Sequence, residues 1–183
     1  MVGKQKKLPI GIDRFEKLRS GDYYYIDKTR MIKELLDEAC EVNLFTRPRR
    51  FGKSLNIDML RSFFEIGTDK KLFEELEILE YSEICAEYMG RYPVISLNLK
   101  DIDGDDYETA YQALCGIIGM EIRRLCIKYS LLESRLLLDT DKSFLKDILS
   151  GKFDEGIAIC LRKIFQLISE VCGRKVVLLI DEY

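Results

Sequence analysis

One run constrains this chain more than any other: Arg47-Pro48-Arg49-Arg50-Phe51-Gly52-Lys53-Ser54. It stands between the apolar stretch Val42-Asn43-Leu44-Phe45-Thr46 and a segment, Lys53 to about Phe64, with Leu55, Met59, Leu60 and Phe63 at helical spacing. The pattern predicts a buried strand, a tight basic loop and a helix. A helix N-terminus offers unsatisfied N–H groups and the positive end of a dipole, so this order of elements suits an anion. In that geometry Gly52 lets the backbone approach phosphate. Lys53 reaches β- and γ-phosphate oxygens, and Ser54 offers a hydroxyl to Mg²⁺. The full phosphate-loop pattern, G-x-x-x-x-G-K-[ST], has glycine where this chain has Arg47. On the motif alone, a basic surface turn before a helix is the plain alternative.

The second motif is Leu178-Leu179-Ile180-Asp181-Glu182, which closes a strand expected over Val176 to Ile180. An apolar run that ends in two acids has the form of a strand buried on both faces with its charge at one end. Open α/β sheets bind ligands at the carboxyl ends of their strands. Asp181 is the candidate magnesium ligand, an oxygen donor suited to a hard cation. Glu182 is the candidate catalytic residue, placed to orient or deprotonate an attacking water. Taken alone, an acidic pair at a strand end is common. The two motifs together point to a nucleoside triphosphate.

Other residues near these motifs have two readings each. Arg47, Arg49 and Arg50 could clamp phosphate oxygens bidentately, or form a solvated basic loop. Phe51 belongs to the same loop. Asp27, in Asp27-Lys28-Thr29, could touch the nucleotide base or ribose. Capping of the following helix by Asp27 or Thr29 is the structural reading. Tyr23-Tyr24-Tyr25-Ile26 is a short strand signal, and stacking on adenine is its less ordinary use.

Elsewhere the chain alternates strands and helices. A short helix falls within 13–19 and another runs from 30 to about 39. Lys70 to Glu83 carries weak helical signals, centred on 72–76. Pro93-Val94-Ile95-Ser96-Leu97-Asn98-Leu99 reads as a strand and 101–106 as an acidic turn. Tyr107, Tyr111, Leu114, Ile118, Ile122, Leu125 and Tyr129 mark one long amphipathic helix. A segment near 142–149 and a longer one with Phe153, Ile157, Leu161, Ile164, Ile168 and Val171 inward complete the helices, with Gly173 as a C-cap. Residues of about 105–172 thus form a helical insertion between two strands. The expected class is α/β, a mostly parallel sheet flanked by helices.

Composition narrows the chemistry. The 183 residues carry a net charge of −3, so nucleic acid would need a local basic patch. Histidine is absent, which removes histidine-based catalytic triads and most nitrogen–sulfur metal sites. None of the six cysteines is paired at C-x-x-C spacing, and most lie in apolar helical runs. They read as small core residues in a reducing cytosol. No window approaches a membrane span and no secretory leader follows the basic start, so a cytoplasmic location is expected.

Leu8-Pro9-Ile10-Gly11-Ile12, Tyr24 to Thr29, Leu44 to Asn56 and Val177 to Tyr183 resemble the bacterial AAA-ATPase-like family. In that family the loop commonly reads R-P-R-R-F-G-K-[ST], so Arg47 fits the resemblance. The resemblance implies a P-loop NTPase of the additional-strand type, with ATP and Mg²⁺ as ligands. It further implies that 1–183 is the N-terminal part of one domain, truncated after the Asp-Glu (Walker B) strand. The C-terminal remainder would then be a partner, often with a restriction-type nuclease-like domain through which nucleic acid could be met. The expected function is an ATP-binding, ATP-hydrolysing switch for an attached effector. The alternative is a non-hydrolysing nucleotide-binding or protein-interaction module.

Overall fold

The computed structural model describes residues 6–21, 23–38, 40–46, 48, 51–100, 102 and 106–181. The chain divides into two compact units, Met1–Arg91 and Tyr92–Tyr183.

Among the described residues the N-terminal unit holds the helices α1 (Phe15–Ser20), α2 (Arg30–Glu38), α3 (Lys53–Phe64) and α4 (Ser82–Tyr88). Two 3₁₀ turns, Lys70–Phe73 and Glu77–Glu80, stand where the sequence gives weak helical signals. Helix α4 has no counterpart among the sequence expectations. The core is aromatic. Phe15 lies 5.1 Å from Phe73 and 5.5 Å from Tyr25, and Phe63 lies 5.6 Å from Phe73. Phe15, Phe63, Phe73, Ile32, Met59 and Ile78 are fully buried. Offset and edge-on ring pairs of this kind add to the area they bury. Arg19 ties α1 to the first 3₁₀ turn, donating to the carbonyls of Leu72 at 2.8 Å and Glu74 at 2.7 Å.

Among the described residues, two strands expected in this unit do not form. Residues 43–46 have no regular structure, and Val42 and Leu44 are 87% and 68% exposed. Tyr23 makes only an isolated bridge to Lys7. An apolar run becomes a strand only when a neighbour takes its N–H and C=O groups. Among the described residues neither segment has such a ladder.

The C-terminal unit contains a parallel two-stranded sheet, β1 (Val94–Asn98) and β2 (Val177–Asp181). The register pairs Val94 with Val177 and Asn98 with Asp181. Bonds of 2.9 Å from the Val177 N–H to the Pro93 carbonyl and from the Leu99 N–H to the Asp181 carbonyl extend it. Parallel strands need a long crossover. Here it is helical: α5 (Tyr107–Lys128), α6 (Asp139–Leu149) and α7 (Ile157–Cys172). Asp106 starts α5, its carboxylate accepting the Thr109 N–H at 2.7 Å. Gly173 ends α7 at φ 63°, the left-handed C-cap conformation. Ile118, Ile122, Leu125, Leu145, Ile148, Ile164 and Ile168 build the core with Ile95 and Leu97 of β1.

The two strands are covered unequally. Ile95 and Leu97 are buried, but their register partners Leu178 and Ile180 are 39% and 40% exposed. The expectation of a strand buried on both faces therefore fails for β2, because the covering layer ends over it. The sheet edges differ too. Residues 93 and 99 bond β2, so strand alternation turns Val94 and Ser96 to the other edge. There Glu121 accepts the Ser96 N–H at 2.8 Å and Arg124 donates to the Val94 carbonyl at 2.9 Å. The outer edge of β2, at Leu178 and Ile180, has no such partner among the described residues.

Candidate functional site

The loop-to-helix junction forms where the sequence places it. Helix α3 begins at Lys53, and Gly52 before it has φ 75° and ψ 29°. This left-handed conformation is costly for residues with a Cβ and free for glycine. It turns the chain sharply into the helix. The first intrahelical bond runs from the Asn56 N–H to the Gly52 carbonyl at 3.0 Å. The N–H groups of Lys53, Ser54 and Leu55 therefore precede the ladder. Among the described residues no side chain caps them, and the first turn carries no acid. Lys53 and Ser54 are half-buried, and Phe51 is exposed. Arg47, Arg49 and Arg50 lie outside the described residues.

Helix α3 is held from behind. Asn56, Met59, Leu60 and Phe63 are buried, while Leu55, expected inward, is half-buried. Asp58 accepts the Phe15 N–H through Oδ2 at 2.7 Å. Burial raises the Asp58 carboxyl above the usual range, opposed by that bond and by Arg61 and Arg14.

The Asp27-Lys28-Thr29 segment is clamped. Asp27 Oδ1 accepts the Thr29 N–H and hydroxyl, each at 2.8 Å, and Oδ2 accepts the Glu77 N–H at 2.7 Å. The Thr29 hydroxyl accepts the Ile78 N–H at 3.1 Å. The Thr29 side chain thus ties two segments together instead of capping α2, because the buried Ile78 N–H needs an acceptor. Both Asp27 oxygens are engaged, and Asp27 lines an open hollow of about 650 Å³ with Glu75, Glu77 and Glu80. Like charge in that hollow opposes a phosphate.

Lys28 is the residue that sequence reasoning passed over. A Cβ built on Gly52 would stand 3.4 Å from the Lys28 ammonium. Among the described residues no carboxylate pairs with Lys28 or Lys53. Tyr25 donates its hydroxyl to Met59 Sδ on α3 at 3.4 Å. Burial pushes the Tyr25 hydroxyl up to about 12. The only sequence signal for Lys28 was its place in a segment that carries the family resemblance.

In the C-terminal unit, Asp181 closes β2 and is 7% exposed. Its carboxylate makes no hydrogen bond or ion pair among the described residues. Glu182 lies outside them. The described residues contain no cluster of three or more Cys, Asp or Glu side chains arranged to hold a metal. Their helices include none long and apolar enough to cross a membrane.

These features define an α/β chain with a glycine-hinged, uncapped helix start in one unit and an acid at the end of a parallel strand in the other. The chain belongs to the family described as "Predicted AAA-ATPase", whose profile matches residues 9–183. An uncharacterized protein in the vnfD 5′ region of Azotobacter chroococcum mcd 1 is 40% identical over 95 residues. That alignment takes in 51% of this chain and 17% of the relative, so the chain spans under two thirds of the relative's length. No solved structure matches.

Proposed function

We propose that this chain is the phosphate-binding part of an ATP-hydrolysing module. The observation that carries the reading is the start of α3. Three N–H groups precede the ladder, uncapped among the described residues and with no acid in the first turn of the helix, behind a left-handed Gly52, in a chain of an AAA-ATPase family. A helix start left open in this way is a site for an anion. Lys53 binds the β- and γ-phosphates. Arg47, Arg49, Arg50 and Phe51 complete the loop around them. Asp27, first considered for the base or ribose, acts in this reading as the clamp of its own segment.

The Ser54 hydroxyl and, separately, the Asp181 carboxylate are each proposed as an oxygen donor to Mg²⁺. Oxygen donors suit a hard cation, and among the described residues the Asp181 carboxylate has no partner. Bound Mg²⁺ would neutralise charge developing on the transferred phosphoryl group. Glu182 orients the attacking water. The helices of 107–172 are an insertion in the ATPase domain, and turnover is a cytoplasmic switch for an attached effector, with a nuclease proposed in that role.

Lys53→Ala in the full-length protein tests the phosphate assignment by calorimetry. Loss of ATP binding is expected, because phosphate charge would be left uncompensated. Unchanged affinity overturns it. Glu182→Gln separates hydrolysis from mere binding: it traps bound ATP in a hydrolysing enzyme and changes little in a binding module.

A further inference from the structure

We propose that Lys28 is a second phosphate-binding cation of the same loop, an inference that rests on the phosphate-loop reading above. Three observations support it. The Lys28 ammonium stands beside Gly52, 3.4 Å from where a Cβ there would be. It has no carboxylate partner among the described residues. Its backbone is fixed on both sides: Asp27 is bonded to Glu77, Thr29 to Ile78, and the Lys28 carbonyl accepts the Met31 N–H at 3.1 Å.

Each has a physical consequence. A lysine without an acidic partner keeps its donors for a ligand. A clamped backbone lowers the ordering cost when the ammonium engages an anion, which is what preorganisation contributes to binding. The Cβ approach also defines the side of the loop that Lys28 serves. The ammonium faces the open Cβ side of Gly52, the position that must admit phosphate closely, while Lys53 is the first residue of the helix. The two lysines thus approach the loop from separate segments. The Asp27-Thr29 clamp has its role here: it holds Lys28 in position and keeps the Asp27 charge occupied elsewhere.

The test is ATP affinity of the full-length protein, by calorimetry at several salt concentrations, for wild type, Lys53→Ala, Lys28→Gln and Lys28→Arg. Lys28→Gln is expected to weaken ATP binding by about ten- to a hundredfold, the range for losing one charge-assisted bond. Its affinity should also depend less steeply on salt, since one screened charge is gone. Lys28→Arg should restore much of both. A purely structural lysine would leave the salt dependence unchanged. If wild type binds ATP, Lys53→Ala does not, and Lys28→Gln binds like wild type, the Lys28 assignment fails alone. If folded wild-type protein does not bind ATP, the phosphate-loop reading fails and this inference with it. Circular dichroism melts of each variant confirm that the compared proteins are folded.

Discussion

Glu121 on α5 accepts the Ser96 N–H of β1 through Oε1 at 2.8 Å. A side chain thereby takes a backbone donor that a neighbouring strand would take in a wider sheet. Arg124 completes the seal, pairing with Glu121 at 2.8 Å and donating to the Val94 carbonyl. One sheet edge is closed to further pairing and the other has no partner among the described residues, which controls where strand addition can occur.

Glu121→Ala should lower stability by about 2–3 kcal/mol, because it orphans the Ser96 N–H and leaves Arg124 without its acid. Glu121→Gln, which keeps an acceptor, should cost less. Urea denaturation followed by circular dichroism measures both. Equal midpoints for wild type and the alanine variant would show that the seal is not structural.

Gly52→Ala should destabilise by about 1–2 kcal/mol, the cost of a Cβ in the left-handed region. Contact with Lys28 adds little, since a flexible ammonium can shift. Gly52→Asn should be milder, because asparagine tolerates this conformation better. Thermal melts of the two variants check the order.

The Asp58 carboxyl is raised in the folded state, chiefly by burial. A carboxyl raised on folding contributes stability that is complete below its unfolded value and lost as pH rises through the folded value. Asp58→Asn keeps an acceptor for the Phe15 N–H and never ionises. Its melting temperature should exceed that of wild type at about pH 7, with the gap shrinking toward about pH 4. A constant gap would argue against ionisation of Asp58 as the cause.

Thiol reactivity should follow burial. Cys40 is exposed, whereas Cys115, Cys126 and Cys160 are buried. Burial pushes the Cys126 thiol up to about 11. Only the thiolate reacts. Iodoacetamide on the native protein should label Cys40 first and leave Cys126 until unfolding, as read by mass spectrometry of peptides. Early labelling of Cys126 would contradict the packing around α5.

Local chemistry made several elements legible in the sequence alone. Helix α3 begins at Lys53 because a glycine hinge precedes an apolar period, and both signals lie within a few residues. The spans of α5 and α7 follow from spacings of three and four, and Gly173 ends α7 because it needs no partner to adopt positive φ. Strands β1 and β2 were legible as β-branched and apolar runs between turn signals. Tertiary structure decided the rest. Residues 43–46 have the composition of a strand but no ladder among the described residues, because pairing is a property of two segments. The exposure of Leu178 and Ile180 depends on how far the helical layer extends, and their own apolar character does not decide it. Thr29 looked like a cap until the distant Ile78 N–H claimed its hydroxyl. The approach of Lys28 to Gly52 depends on how the clamped segment meets α3, through contacts between residues far apart in the chain that no local pattern encodes.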